Sequence, residues 1–340
     1  MNISTNLTDF EAEDGADEDE ALSLEVVPAS HGERLDRWLS LQRPHASRAY
    51  FQQLIEAGAV SIDGQVVIKP SAKLKLGSTV RVNLLPRAQD QAFEPEPMDL
   101  DVRFEDEHLM VLHKPAGLVV HPAAGHWSGT LLNGLLAHHA LAPSLPRAGI
   151  VHRLDKDTSG LMLVAKSQTA MDGLTRQIAQ REVHRVYVAL VKGAHAMAEQ
   201  SVENTLGRDP RNRLRMAVLP SGSAAGKHAH TSIRWVGSSS EGQGEPISWV
   251  TCKLHTGRTH QIRVHLTHLQ HPLLGDDVYG GPAWYGMSRQ ALHATSLGLR
   301  HPITGQRLQV LSELPQDMQN AFALAGLRYN PQALWSTDAE

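Results

Sequence analysis

The stretch GIVHRLDKDTSGLMLVAK, Gly149 to Lys166, holds one carboxylate in a chemically loaded setting. Asp155 comes two residues after Arg153, behind the apolar pair Ile150 and Val151. The turn-forming triplet Thr158-Ser159-Gly160 follows, and then an unbroken apolar run from Leu161 to Ala165. An apolar run of this length beside turn residues predicts a strand buried on both faces. Asp155 then sits on a loop clamped to a sheet edge, where rigid scaffolds carry their chemistry. A carboxylate so placed can act as nucleophile or base. Beside an arginine it can equally be half of a structural ion pair, and the residues alone leave both readings open.

Other side chains join it as candidates. In VHRVYVALV, Val183 to Val191, strand alternation puts Val186, Val188 and Leu190 on one face and Arg185, Tyr187 and Ala189 on the other. Tyr187 is expected to point away from the main apolar layer, toward a cleft. A helix opened by Thr259 would turn Ile262, Leu266 and Leu269 to the core and carry Arg263 as a cation, with Arg258 just ahead of it. The segment GRDPRNRLRMAV sets Arg208, Arg211, Arg213 and Arg215 against a single acid, Asp209. It reads either as a basic hairpin that grips a nucleic-acid stem or as an exposed loop without that role. His255, His260, His265, His268 and His271 match no zinc spacing, and the single Cys252 offers no thiolate set, so no metal is expected.

The elements that must position these groups are legible in outline. Short apolar runs at Leu109–Leu112, Leu161–Ala165, Val186–Leu190 and Ile247–Leu254 predict strands, and Thr130–Ala140, Gln168–Gln180 and Thr259–Leu269 predict helices. Their irregular order argues for an α+β fold rather than a doubly wound parallel sheet. Ahead of this body, residues 31–85 form a small basic unit. A helix over Arg34–Leu41 places Leu35, Trp38 and Leu39 together, and Ser47 caps a second helix bearing Tyr50, Phe51, Leu54 and Ile55. Gly58 stops that helix, and Asp63-Gly64 joins two short β runs as a hairpin, with a closing strand within Lys73–Leu85. Residues 86–100, rich in Pro, Gln and acid, read as a linker. Residues 1–30 read as an acidic disordered tail and 329–340 as a C-terminal tail.

Charge narrows the function class. The 340-residue chain has a net charge of −4, which looks wrong for a nucleic-acid binder. Residues 1–30, however, hold nine acids and no Lys or Arg, and Asp338 and Glu340 add two at the other end. The remaining body sets 25 acids against all 32 bases, a charge of +7. Such segregation is the mark of an acidic tail beside a basic folded body. The tail serves solubility or competes with nucleic acid for the basic surface. One cysteine implies a reducing, cytoplasmic setting, and no apolar run approaches a membrane span.

The segment HRLDKDTSG closely resembles the catalytic motif of the RluA family of RNA pseudouridine synthases. EDEHLMVLHKPAGLVVHP (Glu105–Pro122), REVHRVYVALVKG (Arg181–Gly193) and LHTGRTHQIRVHLTHLQHPLLGDDVYG (Leu254–Gly280) resemble three further family blocks, in the family's order. The likeness covers about residues 101–328, and HPAAGHWSGTLLNGLLAHH is most similar to the large-subunit ribosomal RNA branch. GERLDRWL and SRAYFQQLIEAGAVSIDG resemble the S4 RNA-binding domain. The resemblance implies a mixed, largely antiparallel sheet with a central cleft, preceded by a small S4-like α/β RNA-binding domain.

It also implies an activity: breaking a uridine's N-glycosidic bond, turning the base and rejoining it through C5, with no metal or cofactor. Asp155 would be the essential carboxylate, kept ionised in a water-poor pocket by Arg263. Tyr187 would stack on the uracil, and Arg153 would fill the gap left by a flipped nucleotide. Arg34, Arg37, Arg43 and Arg48, supported by Lys69, Lys73 and Lys75, would face phosphates. Arg208, Arg211 and Arg213 join them if their loop grips a stem, and Arg258 is the alternative to Arg263 beside Asp155 or a further phosphate contact. The implied partner is 23S ribosomal RNA, as free RNA or in a pre-50S or 50S ribosomal particle, with the helix 69 stem-loop as the target. No protein partner is identifiable. A sister synthase with other targets, or a non-catalytic RNA-binding assembly factor, would share much of this pattern.

Overall fold

The computed structural model describes residues 21–43, 47–84, 90–123, 125–195, 198–212, 214–239 and 246–336. The chain divides into two compact units, residues 1–91 and 92–340.

In the N-terminal unit, α1 (Leu35–Gln42) buries Leu35, Trp38 and Leu39, and α2 (Arg48–Glu56) buries Phe51, Leu54 and Ile55. Ser47 caps α2 by accepting from the Tyr50 N–H. Against these helices lies a four-stranded sheet of β1 (Ala21–Glu25), β2 (Val60–Ile62), β3 (Gln65–Val66) and β4 (Thr79–Asn83), in the order β1-β4-β2-β3. Asp63 and Gly64 turn the β2–β3 hairpin with φ of 50° and 80°. Strand β1 corrects the expected tail: Ala21–Glu25 pairs with β4, and Leu22 and Leu24 pack on the core. Their alternation is short, and the density of acids before it dominates the composition. The expected tail over residues 1–20 lies outside the described residues.

The larger unit is built on one sheet. Its described strands are β5 (Asp101–Glu105), β6 (Leu109–Lys114), β7 (Ser159–Ala165), β8 (His184–Lys192), β9 (Glu199–Arg208), β10 (Met216–Leu219), β11 (Gly226–Ser238), β12 (Ile247–Leu254), β13 (Leu292–Arg300) and β14 (Arg307–Leu311). They run β10-β9-β11-β12-β8-β13-β7-β6-β5, with β14 also on β13. The β13–β7 pair is parallel and the others are antiparallel, so the sheet is mixed and largely antiparallel. Helices α3 (Leu131–His138), α4 (Gln168–Gln180), α5 (Gln261–His268) and α6 (Gln316–Leu324) complete it.

Every residue of β7 is buried, with Met162 and Val164 in one apolar cluster and Leu161, Leu163 and Ala165 in another. Strand β8 alternates likewise, Tyr187, Ala189 and Val191 against Val188 and Leu190. The face bearing Tyr187 is therefore itself a large apolar layer and not a bare one, because helices and loops cover both sides of the sheet.

Both expected spacers prove partly structural. Leu100 packs on the core, Met98 lies against Gly134 of α3, and the backbone carbonyl of Glu94 accepts from Asn133. At the other end Tyr329 meets Trp249 and Phe322 edge-on, and the Trp335 indole N–H donates to the Thr251 carbonyl. Isolated apolar residues in irregular segments give no period from which to read such docking. Among the described residues no helix is long and apolar enough to cross a membrane.

Candidate active site

The loop carrying Asp155 is fixed at many points. The Leu163 N–H donates to His152 Nε2 at 2.9 Å, and burial pushes the His152 imidazole down to about 3, so the ring stays neutral. Past Asp155, the Lys156 carbonyl accepts from Lys114 Nζ (2.8 Å) and from the Gly117 N–H. Arg289 donates to the Asp157 carbonyl, and Gln290 to Thr158 Oγ1. Lys114, fully buried, also donates to the carbonyls of Pro115 and Leu118, three acceptors for three ammonium protons. Burial nonetheless draws that ammonium down to about 7, against the pull of Asp157 and Asp155. At the loop's end Gly160 has φ +118°, and a Cβ there would fall 2.3 Å from the Ala294 carbonyl oxygen. Only glycine lets β7 meet β13 there.

Asp155 itself is 17% exposed, and its Oδ2 accepts from Arg263 Nη1 at 3.2 Å. The tighter partner of Arg263 is Asp276: Nε donates to Oδ2 at 2.7 Å and Nη2 to Oδ1 at 2.8 Å, a bidentate pair with the Asp276 side chain wholly buried. Burial would lower the Arg263 pKa, but hydrogen bonds and charge from Asp276, with Asp155 adding, raise it above the ordinary arginine value. The guanidinium also packs on the Tyr279 ring, 5.0 Å from its centroid. Helix α5 starts at Gln261, two residues later than the expected Thr259, because its N-cap is His260 in the left-handed region (φ 56°).

Asp276 and Tyr279 escaped sequence reasoning. They lie in GDDVYG, beyond the helix that carries Arg263, where no periodicity links them to it.

Asp155 opens on a cleft of about 880 Å³ whose walls include Arg153, Tyr187, Arg258, Arg263 and Leu292. Arg147, Arg181 and Arg185 also line it, so six arginines face one carboxylate. Such a cleft draws in anions. Burial, partly offset by the charge of Arg185, pushes the Tyr187 hydroxyl up to about 12. Burial, aided by Arg153 and Arg147, pushes the His121 imidazole down to about 4. Asp155 Oδ1 has no hydrogen-bond partner among the described residues.

Residues 108–268 match the RNA pseudouridylate synthase family, and residues 33–80 match the S4 domain. The chain is 39% identical to ribosomal large subunit pseudouridine synthase D of Neisseria meningitidis (serogroup A / serotype 4A), across 100% of this chain and 91% of that protein. The chain belongs to the RluA family of RNA pseudouridine synthases. The synthase is also 42% identical to ribosomal large subunit pseudouridine synthase D of Nitrosomonas europaea, over 94% of this chain and 92% of the relative. Among solved structures it resembles human RNA pseudouridylate synthase domain containing 1, with TM-score 0.51 and 27% identity over 64% of this chain and 86% of that one.

The synthase gathers Asp155, Tyr187, Arg263, Arg153 and Arg258 around one cleft. Arg153 is exposed there, and Arg258 donates from Nε to the His228 carbonyl at 2.9 Å. Arg208 and Arg211 lie instead on the β9–β10 hairpin, outside the cleft lining, and Arg213 lies outside the described residues. Arg215, expected in the basic loop, packs its guanidinium on Tyr279, 5.0 Å from the centroid.

In the S4 unit Arg34 and Arg48 are not bare phosphate ligands. Both bind the wholly buried Asp36 carboxylate, at 3.0 and 2.8 Å. The hydrogen bond from Arg34 leads the effects that hold Asp36 well below the usual carboxylate range, with Gln52 and Arg48 assisting against burial. Arg37 is exposed. The histidines disperse: His255 stacks on His230, His260 meets the Tyr279 hydroxyl, and His265 meets Asn204. Among the described residues no group of three His, Cys, Asp or Glu could hold a metal ion.

Proposed function

We propose that this synthase converts uridines of large-subunit (23S) ribosomal RNA to pseudouridine, in the helix 69 stem-loop, with Asp155 as the catalytic carboxylate. The observation that carries the assignment of Asp155 is its position: a single carboxylate in a cleft of arginines, fixed through Arg263 to the buried Asp276. Its free oxygen is available to the ribose of a flipped nucleotide, either as nucleophile at C1′ or as base toward C2′. The C1′–N1 bond breaks, the C1′–C5 bond forms, and the C5 proton is lost while N1 gains one. Tyr187 acts as a neutral phenol that packs against the base, since its hydroxyl stays protonated far above neutral pH. Arg153, exposed at the cleft, enters the stack that the nucleotide leaves. The RNA target rests on likeness along nearly the whole chain to relatives described as ribosomal large subunit pseudouridine synthase D. The S4 unit, through Arg37 and the outer faces of Arg34 and Arg48, holds the surrounding stem.

The test is a pseudouridine map of ribosomal RNA from cells lacking the protein. Marks in helix 69 are expected to vanish and to return with the wild-type gene. Loss of marks elsewhere, with helix 69 intact, would make this a sister synthase with other targets.

A further inference from the structure

Two of the six cleft arginines are buried, Arg263 and Arg185. Arg263 is paired with two aspartates, but Arg185 is not. It is 5% exposed, its Nε is buried with no hydrogen-bond partner, and no carboxylate pairs with it among the described residues. A buried cation without a counter-charge is costly, and proteins keep one only where something repays it. Its neighbours do not: burial keeps His152 neutral and Tyr187 protonated.

The location points to the missing partner. Arg185 precedes Tyr187 by two residues on β8, so both side chains leave the same face into the cleft that holds Asp155. Its Nη1 lies beneath the Gly257 backbone, where an added Cβ would come within 2.9 Å. Gly257 thus leaves room for the guanidinium in the cleft, which the exposed Arg181 and Arg258 also line. A uracil ring is neutral, and the anion of an RNA nucleotide is its phosphodiester. Guanidinium binds such oxygens in a directed, charge-assisted way.

We propose that Arg185 is a phosphate-binding residue, gripping a non-bridging oxygen of a phosphodiester that flanks the target uridine. The proposal rests on the reading that the target nucleotide enters this cleft beside Asp155. Arg185 then couples backbone capture to base placement, because the same strand carries Tyr187.

The test uses full-length protein and a synthetic stem-loop RNA containing a uridine that the wild type modifies, with single methylphosphonates on either side of it. Binding is measured in the Asp155→Asn background, so that turnover does not intervene. Arg185→Gln is expected to weaken binding roughly tenfold to a hundredfold. One methylphosphonate should weaken the Arg185 protein similarly and add nothing to Arg185→Gln. Without RNA, Arg185→Gln should melt no lower than wild type, because it removes an uncompensated charge. The proposal is overturned if the losses multiply at both phosphates, or if Arg185→Gln lowers the melting temperature while leaving affinity unchanged. It is equally overturned if the non-additive partner proves to be a 4-thiouridine at the target rather than a phosphate. Full turnover by Asp155→Asn would instead refute the assignment of Asp155.

Discussion

In the N-terminal unit one buried aspartate, Asp36, binds two arginines, whereas in the catalytic unit one buried arginine, Arg263, binds two aspartates. The surplus charge is cationic in the first and anionic in the second. Arg34 and Arg48 are 41% and 48% exposed, so the N-terminal cluster closes on its carboxylate and shows positive charge outward. In the catalytic cluster Asp276 is fully buried and neutralises Arg263, while Asp155, 17% exposed, keeps an oxygen toward the cleft. The same ion-pair chemistry leaves arginines at the surface when aspartate is the shared partner and leaves a carboxylate facing the cleft when arginine is.

Acid should separate the two units most strongly. His265 and His293 in the catalytic unit are fully buried and held down by burial, to about 4 and about 3. Their unfolded value is 6.5, so the unfolded chain binds more protons below that pH. Stability is whole above pH 6.5 and is withdrawn as pH falls toward 4, by about 1.4 kcal/mol per pH unit for each ring. Asp36, whose folded pKa is depressed, contributes stability above its unfolded value of 3.8 and loses it only below. Hydrogen exchange across pH 7 to 4 should therefore show the catalytic unit opening first. Simultaneous loss, or the reverse order, would break the contrast.

Asp276→Asn comes next. It leaves the buried Arg263 with Asp155 alone and should cost about 3–5 kcal/mol, with a fall in turnover as Asp155 loses its fixed partner. Thermal melts and single-turnover assays check both; near-wild-type values would mean that Asp155 alone holds Arg263.

These clusters mark where the sequence was readable and where it was not. The β7 run, the bounds of α4, the Ser47 cap and the Asp63-Gly64 hairpin follow from local patterns, and the structure keeps them. Asp155, Tyr187 and Arg263 stood out through a motif resemblance that local physics alone left ambiguous. The charge of Arg34 and Arg48 is visible in sequence, but the engagement of Arg48 by Asp36, 12 residues away, depends on how α1 meets α2. Asp276 is 13 residues from Arg263 and joined to it only in three dimensions. Strand β9 carries many polar residues along its length, so it lacks the apolar alternation that marks a strand.

Asp36→Ala should be milder than its catalytic counterpart, about 1–3 kcal/mol, because both freed arginines can turn to water. Its effect should stay within the N-terminal unit by hydrogen exchange; loosening of β7 or α5 would contradict that. Arg37→Ala should change least: fold and turnover rate constant unaltered, RNA affinity reduced a few-fold, and the salt slope smaller by about one. An unchanged salt slope would remove Arg37 from the phosphate surface.

The most direct measurement is single-turnover pseudouridine formation by Asp155→Asn on large-subunit ribosomal RNA lacking the modification, with RNA affinity and melting temperature measured alongside. A drop in rate of at least about a thousandfold, with affinity and melting close to wild type, is expected of a carboxylate that does the chemistry while Asp276 holds the scaffold. Turnover within about tenfold of wild type would contradict it.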